Sequence, residues 1–145
     1  MPGDVSVARQ FLGVPFKHQG RNPELGIDCV GLGVLYLRAL GVHIRDRTDY
    51  GRDPDGTLRA TLCRALGQPV AEGPGSWQRA QPGDVLSIRF ASLGHVPERH
   101  VAIASEMYGQ PALIHADNSP TIKKVCEHLM DERWKARVIG VWRVA

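Results

Sequence analysis

Gly26-Ile27-Asp28-Cys29-Val30-Gly31-Leu32 runs directly into Gly33-Val34-Leu35-Tyr36-Leu37-Arg38-Ala39-Leu40, and Gly41 follows. Aspartate is a side chain that caps helix N-termini, and glycine after an apolar run is the usual residue just beyond a helix end. The spacing predicts a largely apolar helix with Cys29 in its first turn. The positive end of the helix dipole favours thiolate over thiol, so Cys29 is expected to have a lowered pKa and to be placed as a nucleophile. Such a thiol needs a base from elsewhere in the chain.

The 145 residues fit a single domain, 1–145, large enough for a real core. No apolar run reaches the roughly 18 to 20 residues of a membrane span. The start, Met1-Pro2-Gly3-Asp4-Val5-Ser6, has neither a basic nor an apolar leader segment, so no secretory signal is expected. Cys29, Cys63 and Cys126 are odd in number and widely spaced, which argues for synthesis in a reducing cytosol rather than a disulfide framework. The net charge of +3 is small and its Lys and Arg are scattered among Asp and Glu, so no nucleic-acid partner is expected.

Upstream, Val5, Ala8, Phe11 and Leu12 give an apolar stripe for a short helix from Asp4 to Leu12. Downstream, Leu58, Leu62 and Leu66 recur every four residues, with Asp53-Pro54 or Thr57 as a cap and Gly67 as the end. Cys63 lies beside that stripe and reads as packing. The period then changes. Val85 to Phe90 alternates as a strand with Leu86, Ile88 and Phe90 inward and Ser87 and Arg89 outward. His100 to Ala104, Ala112 to Ala116, Thr121 to Val125 and Val138 to Val144 follow as further strands, separated by turn residues. Helices followed by a meander of strands predict an α+β domain, its N-terminal helices packed on an antiparallel sheet of about five to six strands.

Two histidines fall on strands. His100 begins the second strand and His115 lies within the third. Paired strands lie about 4.8 Å apart, so the two imidazoles can be neighbours on one face. Ala102 and Ala104 share the His100 face and would leave room for a helix end. The inferred set is Cys29 as nucleophile, one imidazole as base and the second orienting it. Zinc held by Cys29, His100 and His115 is the chemical alternative, without a close ligand pair to support it. Small buried cysteine and ordinary strand histidines are the other alternative. Cys126 has no candidate partner, and His43, His95 and His128 read as solvated.

The blocks Gly26–Leu32, Pro82-Gly83-Asp84-Val85-Leu86, Arg99-His100-Val101-Ala102-Ile103 and Leu113-Ile114-His115-Ala116 resemble, in order, those of the NlpC-type cell-wall cysteine peptidases. Pro15-Phe16-Lys17-His18-Gln19-Gly20-Arg21 and the compact length resemble the members encoded in phage-tail clusters, including gene transfer agents. The resemblance implies a papain-like fold and cleavage of peptidoglycan stem peptides, typically between γ-D-glutamate and a diamino acid. It implies Cys29 as nucleophile, His100 as general base and acid, and His115 as the group orienting His100. It also implies contact with tail-tip or baseplate proteins, cytoplasmic synthesis before incorporation into a tail-like particle, and no metal or organic cofactor. Two positions depart from the family pattern. Phe16 stands where a tyrosine hydroxyl usually helps hold substrate or oxyanion, leaving His18 or Gln19 to substitute. Val30 stands where a serine usually joins the aspartate, here Asp28, in recognising a free L-alanine amine. A non-catalytic tail component that keeps the fold, and an amidase or acyltransferase with the same Cys-His-His set, are the competing readings.

Overall fold

The computed structural model describes residues 2–46, 58–89 and 100–145. α1 (Val5–Arg9) starts at Asp4, whose carboxylate accepts the Ser6 N–H. It is shorter than the expected helix to Leu12, and residues 10–13 continue as turns. A two-residue hairpin, β1 (Arg21–Asn22) and β2 (Gly26–Ile27), leads into α2 (Cys29–Ala39). Asp28 caps α2 as expected, its Oδ1 accepting the Gly31 N–H at 2.8 Å. Gly41 closes α2 at φ +81°, with its N–H on the Arg38 carbonyl and the Val42 N–H on the Leu37 carbonyl. Those two bonds satisfy carbonyls that the helix end leaves orphaned. α3 (Leu58–Leu66) carries the leucine repeat with Gly67 beyond it, and Cys63 packs against the core. The caps assigned to Asp53-Pro54 or Thr57 lie outside the described residues.

The remaining elements are β3 (Ala71–Glu72), a 3₁₀ turn (Ser76–Arg79), β4 (Val85–Ile88), β5 (His100–Met107), β6 (Gln110–Ala116), β7 (Val125–Leu129), α4 (Glu132–Arg137) and β8 (Val138–Trp142). The six-stranded sheet has the order β3-β8-β4-β5-β6-β7, and every neighbouring pair is antiparallel. The α+β class, the strand meander and the sheet size match the expectation. The hairpin β1–β2, strand β3, the 3₁₀ turn and α4 are additions to it.

The sheet is covered on both faces. Leu32, Tyr36, Leu37, Val85, Val101, Ile103, Ile114 and Ala116 belong to the core beneath α1, α2 and α3. Leu86, Ile88, Ala102, Ala104, Leu113, Val138 and Val141 form a second core, joined by Trp77 and Trp134. Alternation along β5 therefore sends Val101 and Ile103 toward α2, and His100, Ala102 and Ala104 away from it. The expected role of Ala102 and Ala104 as room for the helix is thus corrected. That room comes from Gly33, where a Cβ would stand 3.1 Å from Val101 Cγ1. Ser87, expected outward, is fully buried because both sheet faces are covered. β4 ends at Ile88, and Phe90 lies outside the described residues.

The fourth strand of the meander is displaced from 121–125 to Val125–Leu129. The Ile122 and Lys123 N–H groups both bond the Ser119 carbonyl, and Lys123 adopts φ +48°. The turn begun at Asn118-Ser119-Pro120 thus runs three residues further than its sequence signature, and the strand starts only after it.

Candidate active site

The loop before α2 is fixed on both sides. The Phe16 N–H bonds the Lys123 carbonyl, the Lys17 N–H bonds the Ile27 carbonyl, and the Ile27 N–H returns to Pro15. Asp28, 3% exposed, gathers the loop onto the helix start. Its Oδ2 accepts the Gln19 N–H at 2.8 Å, and its Oδ1 accepts Arg21 Nη1 at 3.1 Å as well as the Gly31 N–H. Arg21 in turn meets Asp46 through Nε at 2.9 Å. A Cβ at Gly31 would run into the Gly20 carbonyl oxygen, so a glycine in the helix's first turn is what permits the loop to close. Asp28 therefore spends its carboxylate on backbone and Arg21. Phe16 is half-buried and packs on the same core as Cys29 and Val30, supplying hydrocarbon and no donor. His18 and Gln19 are half-buried in this loop, and Gln19 adopts φ +60°.

Cys29 opens α2, and the backbone N–H of Val101, the residue after His100, is one of the groups that favour its thiolate. The N–H groups of Cys29 and Val30 also favour its thiolate. They do not prevail. Burial pushes the thiol up to about 11, and the Asp28 charge adds to the rise. The expected lowering is thus reversed. A helix terminus offers about half a charge, whereas loss of water acts on the whole thiolate.

His100 and His115 are buried neighbours, as expected. His100 Nε2 lies 2.8 Å from His115 Nδ1, with the rings at 83°. Burial lowers His100 to about 4. His115 falls further, to about 2, by burial and then by the His100 and His128 charges, against a raising effect from Asp117. Burial thus favours a neutral thiol and neutral imidazoles over an ion pair.

The sequence reading missed His128. It is not a solvated side chain but lies 2.9 Å, Nε2 to Nε2, from His115, and its Nδ1 lies 2.9 Å from the Leu129 carbonyl oxygen. The fourth strand had been expected to stop at Val125, before His128 could join a face. The signal was there in Cys126-Glu127-His128. With β7 correctly placed, alternation puts Cys126 and His128 on the His115 face, and His115 pairs directly with Cys126. Trp134 of α4 covers the set, its ring 4.9 Å from His115 and 5.0 Å from His128. His43 is exposed, and His95 lies outside the described residues.

His115, Cys126 and His128 offer ligand atoms within 4.8 Å of one another. Two imidazole nitrogens on one tetrahedral zinc would stand about 3.3 Å apart. The 2.9 Å separation of the two Nε2 atoms is that of a hydrogen bond instead. As the side chains stand, the two rings are spaced to share a proton. The alternative set of Cys29, His100 and His115 is not among the ligand groups of the described residues.

Comparison with known proteins converges on one family. The NlpC/P60 family model matches residues 13–143. The γ-DL-glutamyl hydrolase of Bacillus subtilis is 27% identical over 140 residues, covering 96% of this chain and 28% of that protein. The chain thus spans little more than a quarter of that relative. A lipoprotein-like NLP/P60 structure from Staphylococcus aureus aligns with a TM-score of 0.64 at 21% identity, covering 96% of this chain and 39% of that one. The NlpC/P60 domain of the peptidoglycan hydrolase SagA aligns with a TM-score of 0.56 at 23% identity, covering 95% and 93%.

Proposed function

The chain belongs to the NlpC/P60 family and has its papain-like fold, and from that premise we propose that it is a cysteine peptidase of peptidoglycan stem peptides. The observation that carries the reading is the buried His100–His115 pair, 2.8 Å apart, with Cys29 at the α2 start and the Val101 N–H, next along the chain from His100, favouring its thiolate. His100 takes the thiol proton as the Cys29 sulfur attacks the scissile amide carbonyl. The developing oxyanion faces the N–H groups at the α2 start. One such donor is worth about 2.7–4 kcal/mol. His100 then protonates the leaving amine, and water hydrolyses the thioester. The family's usual γ-D-glutamyl bond is the proposed target, in keeping with the γ-glutamyl hydrolase named among the relatives.

Cys29→Ala should abolish release of muropeptides from purified peptidoglycan while the circular dichroism spectrum is unchanged. Product masses identify the bond and separate peptidase from amidase. Wild-type release by the alanine variant would refute the peptidase. His115→Ala should lose less turnover than His100→Ala; the reverse order would exchange their roles.

The likeness of Pro15–Arg21 to tail-encoded members supports a place in a phage-tail-like particle, with tail-tip or baseplate proteins as partners. An epitope-tagged copy should co-sediment with such particles from producing cells. Recovery in the unassembled fraction alone would overturn that assignment.

A further inference from the structure

We infer that His128 is a positioning residue, which fixes through His115 the tautomer that makes His100 a base. The inference rests on the peptidase reading for its consequence, but its geometry stands apart from that reading. Three contacts run in series: His100 Nε2 to His115 Nδ1 at 2.8 Å, His115 Nε2 to His128 Nε2 at 2.9 Å, and His128 Nδ1 to the Leu129 carbonyl oxygen at 2.9 Å. A carbonyl oxygen only accepts, so His128 Nδ1 carries a hydrogen. In a neutral imidazole the other nitrogen is then an acceptor. His128 Nε2 accepts, so His115 Nε2 donates. His115 Nδ1 accepts, so His100 Nε2 donates. His100 Nδ1 is left as the acceptor nitrogen of its ring, the atom a thiol proton requires. One backbone carbonyl thus sets three tautomers.

Asp117 is the competing partner for His115. Its Oδ2 stands 3.9 Å from His115 Nε2, beyond hydrogen-bond reach, whereas His128 is within it. The near-perpendicular rings, 83° and 81° apart, let each lone pair meet the next N–H edge-on, and Trp134 closes the set. When His100 takes the thiol proton, its Nε2–H still donates to His115. No other bond in the series has to change.

The logic can be reversed by chemistry at one position. His128→Gln keeps an acceptor oxygen for the His115 Nε2–H. His128→Lys offers only donors, which turns His115 and then His100 into their opposite tautomers and puts a hydrogen on His100 Nδ1. His128→Lys should lower kcat on muropeptide by about 10²–10⁴-fold, the range for losing general acid–base catalysis, with KM little changed. His128→Gln should stay within about threefold of wild type, because its acceptor is preserved. Long-range ¹H–¹⁵N spectra should show His100 with a bare Nδ1 in wild type and in His128→Gln, and with a protonated Nδ1 in His128→Lys. A protonated His100 Nδ1 in neutral wild-type protein overturns the inference even if no variant folds. An unchanged His100 tautomer in folded His128→Lys overturns it too. The spectra read the tautomer without turnover, so inactivity of the wild type would count against the peptidase reading alone.

Discussion

Replacing Asp28 by asparagine should weaken the fold and acidify the Cys29 thiol together. Asparagine keeps an oxygen for the Gly31 N–H, so the α2 cap survives. Its amide NH₂ must then face the Gln19 N–H, now 2.8 Å from a carboxylate oxygen, and Arg21 loses one of its two carboxylate partners. A charge-assisted hydrogen bond is worth about 1.5–3 kcal/mol, and Arg21 keeps Asp46. The expected loss is about 2–3 kcal/mol. Asp28→Ala also removes the cap, adding about 1 kcal/mol. With a urea dependence of about 2 kcal/mol per molar, Asp28→Asn should lower the midpoint by about 1–1.5 M, and Asp28→Ala by more. The same substitution removes a charge that raises the Cys29 pKa, so the folded variant should be alkylated faster than wild type at pH 8. An unchanged urea midpoint would refute the clamp. Slower alkylation in the folded variant would refute the electrostatic argument, whatever the stability.

Two further expectations concern pH. Cys29 in the wild type should react with iodoacetamide along a curve that rises toward about pH 11, not one that is complete below pH 8; an apparent pKa below 7 would show an ion pair and refute the neutral resting state. Stability should be lost on acidification. His100 and His115 bind protons more weakly folded than unfolded, so the stability present above the unfolded value near 6.5 falls as pH drops toward the folded value of about 4 for His100. The His100 shift alone corresponds to about 3 kcal/mol. Urea midpoints measured from pH 7 to pH 4 should fall less steeply in His100→Gln, and an equal slope would refute the assignment.

What could be read from the chain was what local chemistry decides. The α2 boundaries follow from Asp28 and Gly41, one a cap and the other a left-handed terminus, and both stand where the sequence placed them. His100 and His115 met because each strand was placed correctly and alternation did the rest. The failures share a cause in tertiary structure. β5 is buried at every residue from His100 to Ser105, so periodicity could not tell which face α2 would cover. The Cys29 pKa depends on burial, which no helix-start signature reports. His128 was lost because the turn after Asn118 is prolonged by Lys123 in a left-handed conformation, which a lysine rarely adopts.

The sheet also explains why the cysteine must stand at the first residue of α2. Val101 faces α2, and by alternation His100 faces the opposite core, so the sheet separates the helix side from the histidine side. His100 is the first residue of β5, so the histidine side begins at the end of the strand. Gly33, one turn along the helix from Cys29, presses instead on Val101, and a thiol there would face the interior of the sheet. Cys29 opens the helix, and the Val101 N–H at the start of β5 favours its thiolate. The order of elements follows from that constraint. The loop held by Asp28 and Arg21 has to bring the chain to the helix start rather than to its flank, and the glycines at 31 and 33 let the loop and the sheet approach it from two sides.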